Sequence, residues 1–111
     1  MKRGLCGAWR RQSGGQNMIE ARISVSGSVQ GVGYRSFCRH VAEHLGIRGC
    51  ARNQRDGTVE IIAQGTEEKV EEFVRELRDR KPFWADVKDV LVLEKRKMVA
   101  GGDAFIFFEI H

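Results

Sequence analysis

The chain has 111 residues, 41% of them apolar and 31% charged, which suits one soluble globular domain with a modest core and excludes a disordered composition. No apolar run approaches the roughly 18 residues needed to cross a bilayer as a helix. The net charge of +4 sits entirely on Lys2, Arg3, Arg10 and Arg11, so residues 18–111 hold 15 basic and 15 acidic side chains and exclude a generally basic, nucleic-acid-binding domain.

Residues 1–17, MKRGLCGAWRRQSGGQN, contain no secretory h-region and end in the flexible joint SGGQN. They are expected to form a basic, flexible extension ahead of a domain spanning 18–111, with Met18 as a candidate start. From Ala21 the pattern has period two. Ala21, Ile23 and Val25 face one side and Arg22, Ser24 and Ser26 the other, as in a strand with one wet face.

A glycine-rich loop follows, GSVQGVG from Gly27 to Gly33. Apolar residues then recur at Tyr34, Phe37, Cys38, Val41, Ala42 and Leu45, the stripe of a half-buried helix, and Gly46 stands where a C-terminal cap belongs. Ile47–Asn53 is short and strand-like, Asp56-Gly57 marks a hairpin, and Thr58–Gln64 reads as its second strand.

Thr66 is the expected N-cap of a second helix, with Glu67 and Glu68 at its positive end and Val70, Phe73, Val74 and Leu77 as its apolar face. Lys81-Pro82 ends that helix. Val87–Lys95 and Phe105–Ile110 supply the remaining strands, joined through a turn at AGGD, and Phe83 and Trp84 are expected to pack over the sheet edge. This order predicts an α+β, ferredoxin-like βαββαβ sandwich: an antiparallel sheet covered on one face by two helices, with an extra C-terminal strand.

The glycine loop carries the chemical interest. Backbone N–H groups at a helix start have no internal acceptor, and glycines let them converge on an anion. A guanidinium at Arg35 adds charged donors suited to phosphate oxygens. On composition alone, a tight turn followed by a solvated arginine is an equal reading. A triphosphate loop is excluded because no Gly-Lys-Ser/Thr follows Gly33, and Ser36 stands where a dinucleotide fingerprint needs glycine.

Other candidate sites are weaker. His40, Glu43 and His44 fit an H-x-x-E-H zinc spacing but lie on the polar side of their helix and read as surface residues. Cys6, Cys38 and Cys50 are odd in number and lack CxxC spacing. They read as reduced thiols of a cytoplasmic protein, Cys38 in the core and Cys50 buried or near the site. Glu67, Glu68, Glu71 and Glu72 form a solvated face, with Glu71 and Arg75 spaced for an ion pair. Phe105, Phe107 and Phe108 read as sheet packing. The strand TVEIIAQ has no aromatic for stacking RNA bases.

Two stretches resemble the acylphosphatase family. VSGSVQGVGYR, Val25–Arg35, is similar to its first signature, with Tyr34 where phenylalanine is usual. GCARNQRDGTVEIIAQG, Gly49–Gly65, is similar to its second, with Cys50 replacing the usual aromatic. KPFWAD departs from the family's Gly-Pro-rich linker.

The resemblance implies hydrolysis of carboxyl-phosphate anhydrides without cofactor or metal. Arg35 and the backbone N–H groups of Gln30, Gly31, Val32, Gly33 and Tyr34 would hold the phosphate, and Asn53 would orient the attacking water. The implied partners are a small-molecule acyl phosphate, or phosphate or sulfate at the loop, with no specific nucleic acid and no membrane; a monomer is expected. A similar domain at the front of larger hydrogenase-maturation proteins makes a non-catalytic phosphate-binding or carbamoyl-phosphate-handling module the alternative. The short chain and the retained Arg35 and Asn53 favour a stand-alone enzyme.

Overall fold

The computed structural model describes residues 18–31, 33–80, 82–98 and 104–111. The extension at 1–17, Val32, Lys81 and the AGGD turn lie outside the described residues. The described elements are β1 (Met18–Ser28), α1 (Tyr34–Leu45), β2 (Arg48–Asn53), β3 (Val59–Thr66), α2 (Glu67–Asp79), β4 (Asp86–Lys97) and β5 (Phe108–Ile110). They form one sheet in the order β4-β1-β3-β2-β5.

Alternation in β1 turns Ile19, Ala21, Ile23 and Val25 into the core, where they meet Ala63, Ile61 and Val59 of β3. Both helices cover this face. α1 contributes Tyr34, Cys38, Val41 and Ala42, and α2 contributes Val70, Phe73, Val74 and Leu77. Burying a side chain the size of Phe73 or Leu77 contributes about 1.5–3 kcal/mol, so these stripes hold the helices down.

The expected caps are present. Gly46 closes α1 with φ 75°, and the Thr66 hydroxyl accepts the Lys69 N–H at 3.2 Å to open α2. In the β2–β3 hairpin, Asp56 Oδ1 accepts from the Thr58 N–H at 3.0 Å and its hydroxyl at 2.7 Å. Those two bonds hold the exposed Asp56 carboxyl below its usual pKa.

Four points differ from the pattern-based expectation. The first four strands pair antiparallel, but β5 runs parallel to β2, so the whole sheet is mixed. That last strand is shorter than Phe105–Ile110. Phe105 instead turns its N–H to Gln64 Oε1 at 2.8 Å, on the face away from the helices. Phe108 is core, whereas Phe107 is 69% exposed. Phe83 does not cover the sheet edge: it is 98% exposed, and Trp84 is 42% exposed. Glu71 reaches Lys95 at 3.9 Å on the neighbouring strand β4.

Gly27 shows why its position takes no side chain. At φ 121° a Cβ there would stand 2.0 Å from the Asp86 carbonyl oxygen, across the irregular β1–β4 pairing. The close approach lets β1 turn out of the sheet into the glycine loop.

Candidate active site

Antiparallel pairing brings four chain segments to one end of the sheet: the end of β1, the end of β2 at Asn53, the start of β3 at Val59 and the start of β4 at Asp86. The glycine loop and the first turn of α1 stand at this end. Val29, 1% exposed, anchors the loop in the core. Gly31 and Gly33 then take left-handed conformations, φ 75° and 80°, that most side chains avoid.

Gly33 is the N-cap of α1. No side chain caps this terminus, and its first turn contains no acid. The first intrahelical bond runs from the Phe37 N–H to the Gly33 carbonyl at 3.1 Å. The N–H groups of Tyr34, Arg35 and Ser36 therefore have no acceptor within the helix, and the positive end of its dipole is open to an anion.

Arg35 is the second residue of this helix. Its Nη1 donates to the backbone carbonyl of His111. His111 is itself fixed by its N–H to the Ala51 carbonyl at 2.9 Å, and its imidazole meets Glu109 Oε1 at 2.8 Å. The chain after β5 thus steadies the guanidinium, a contact with no signal in either sequence motif.

Asn53 ends β2 in a revealing position. Val90, Val25, Val59 and Asn53 are register neighbours across β4, β1, β3 and β2. The three valines are 3%, 0% and 0% exposed in that order, so Asn53 is the polar member of a core row. Its Oδ1 is buried and has no hydrogen-bond partner among the described residues. Leaving such an acceptor unmet costs about 1–3 kcal/mol, which makes it a place reserved for a donor.

Arg52, adjacent in sequence, points the other way. It pairs with Glu60 at 2.8 Å on the open face of the sheet, where Arg22 also meets Glu60 and Glu94. Cys50 shares that face, so it lies on the far side of the sheet from Asn53, and burial pushes its thiol pKa up.

Tyr34 begins α1, 1% exposed, with its ring centroid 5.6 Å from that of Phe37 and the two planes tilted by 37°. Its hydroxyl is buried, and burial first, then the Cys38 thiol one turn on, drives its pKa upward. Burial also raises the Cys38 thiol to about 12, so it is a core group rather than a nucleophile. His40 and His44 are exposed on α1. Among the described residues no group of three or more His, Cys, Asp and Glu side chains stands together as a metal site.

Of the residues singled out for phosphate, Gly31, Gly33, Tyr34 and Arg35 lie at this helix start, while Val32 is outside the described residues. Gln30 precedes Gly31 at the head of this loop, and its side chain, distinct from the backbone N–H expected to meet phosphate, is committed to the hairpin. Nε2 lies 2.6 Å from the Gln54 carbonyl and 2.8 Å from that of Thr58.

A glycine-opened helix start without a side-chain cap, an arginine in its first turn and an asparagine Oδ1 with no partner among the described residues stand at the same end of the sheet, a combination suited to holding an anion. The Acylphosphatase family model matches residues 21–105, and the chain belongs to the acylphosphatase family. An acylphosphatase of Bacillus licheniformis is 41% identical over 93 residues, covering 84% of this chain and 98% of that protein. The crystal structure of the Bacillus subtilis acylphosphatase superposes with TM-score 0.72 at 34% identity, covering 84% of this chain and 98% of that one. HypF from T. kodakarensis is also similar, with TM-score 0.65 and 33% identity over 82% of this chain but 11% of its own.

Proposed function

We propose that this chain hydrolyses small-molecule acyl phosphates to a carboxylate, inorganic phosphate and a proton. In this reading Arg35 and the backbone N–H groups from Gln30 to Tyr34 hold the phosphoryl group, and Asn53 orients the attacking water. The water oxygen forms a bond to phosphorus as the bond from phosphorus to the acyl oxygen breaks. The departing carboxylate is weakly basic and needs little protonation, so positioning and charge stabilisation supply most of the rate enhancement.

The observation that carries the reading is the buried, unmet Oδ1 of Asn53 in a row of core valines. A water donating to that oxygen keeps a lone pair for phosphorus, whereas the amide is too weak a base to deprotonate it. Family membership supports the reaction class, and the open start of α1 supports phosphate as the group held. The same reading takes residues 18–111 as the catalytic domain, with 1–17 as an extension outside it, acting as a cytoplasmic monomer.

The test is hydrolysis of benzoyl phosphate with a chelator present, comparing wild type with Asn53→Ala. Turnover of the variant should fall by about two powers of ten or more with a smaller change in KM. Equal turnover would remove the water-orienting role.

A further inference from the structure

We propose that Gln30 is a positioning residue whose side chain clamps the phosphate loop to the neck of the β2–β3 hairpin and so sets the distance between held phosphate and Asn53. The proposal rests on the acyl phosphate reading above and adds a part that neither the reaction nor the family match assigns to this side chain.

The geometry is specific. A carboxamide nitrogen carries two hydrogens, and Gln30 Nε2 has two carbonyl acceptors, Gln54 at 2.6 Å and Thr58 at 2.8 Å. Both neighbours are acceptors, so only the NH2 end satisfies them and the amide orientation is determined. The two carbonyls belong to opposite sides of one turn. The Gln54 N–H bonds the Thr58 carbonyl at 2.8 Å, and the Gly57 N–H bonds the Gln54 carbonyl at 3.2 Å. Gln30 therefore grips a hairpin neck that is already closed on itself, a firmer anchor than a single loose carbonyl.

Its place in the site gives the clamp its consequence. Gln54 directly follows Asn53, and Thr58 directly precedes Val59, the register partner of Asn53. On the other side Gln30 directly precedes Gly31, where the loop enters its left-handed turn toward Gly33 and Arg35. The loop and Arg35 belong to the β1–α1 crossover, while Asn53 belongs to the hairpin. Beside the β1–β3 pairing and the Arg35–His111 contact, the two side-chain bonds tie the loop to the hairpin within one residue of the groups that must align. In-line attack tolerates little misplacement: a shift near 1 Å costs about a hundredfold in rate.

Phosphate affinity and turnover should therefore part company when the clamp is cut. The anion contacts lie within the loop and the start of α1, and they survive. The line from water to phosphorus does not. Gln30→Met keeps the length and removes both donors; Gln30→Glu keeps the shape and turns a carboxylate onto two carbonyls.

The experiment measures kcat and KM on benzoyl phosphate and the competitive inhibition constant of inorganic phosphate, with thermal unfolding to confirm that each variant is folded. Both variants should lose roughly ten- to a hundredfold in kcat, and in Gln30→Met the phosphate inhibition constant should move less than about threefold. Unchanged kcat in a folded variant overturns the clamp while leaving the proposed reaction intact. A phosphate constant that weakens in step with kcat in Gln30→Met also overturns it, since Gln30 would then serve binding. A wild-type protein with no activity on benzoyl phosphate overturns the reaction and the clamp together.

Discussion

Two strands in this fold run into helices, and their junctions are built on opposite principles. At β3–α2 the chain passes straight from strand to helix: Thr66 caps the Lys69 N–H, and Glu67 and Glu68 occupy the first turn. Its orphan donors and its dipole are answered by the chain's own side chains. At β1–α1 a glycine loop intervenes, Gly33 offers no capping atom, and the first turn holds Arg35 and no acid. One junction is stabilised and closed, and the other is left positive and open. A helix start that the protein does not cap for itself is available to an anion.

That contrast yields tests of decreasing size. Arg35→Ala removes the charged member of the open junction and should reduce kcat/KM by about two to three powers of ten. Steady-state hydrolysis of an acyl phosphate measures it, and a loss below tenfold would return Arg35 to a solvated helix residue.

Gly33→Asp would give the open junction an acid of its own. A Cβ at Gly33 meets nothing within 4 Å, so the change brings left-handed strain and a carboxylate rather than a clash. It should cost roughly ten- to a hundredfold in kcat/KM through repulsion of the phosphate, whereas Gly33→Asn, which tolerates that conformation without charge, should lose less. Equal losses in the two variants would mean that backbone strain, not charge, is responsible.

Thr66→Ala strips the closed junction. It should lower stability by about 1 kcal/mol, seen as a fall of several degrees in Tm, and leave kcat/KM unchanged. A change in kinetics there would blur the division between the two junctions.

Much of this was legible along the chain because it is local. Period-two alternation at Ala21–Ser26, the stripe from Tyr34 to Leu45 and the caps at Gly46 and Thr66 each report a backbone conformation and a buried side. The loop from Gly27 to Gly33 was legible for the same reason, as were Arg35 at its end and the Asp56-Gly57 turn. The failures are equally specific. Phe105 to Phe108 looks like one strand by residue type, but Phe105 bonds Gln64, and strand pairing begins only at Phe108. Phe83 and Trp84 look like packing residues, yet among the described residues no strand or helix covers them fully.

By itself, then, the sequence determined the order of elements, the ferredoxin-like class and a glycine loop leading to Arg35, all set by spacings of a few residues. Tertiary structure decided that Asn53 and not Arg52 lies on the helix-covered face, that Cys50 lies across the sheet from it, and that Gln30 meets the Gln54 and Thr58 carbonyls while Arg35 meets that of His111. The reason is physical. A residue's neighbours in sequence set its conformation, but which face it presents and which distant carbonyl it meets depend on strand register, and register is settled only when the whole sheet pairs.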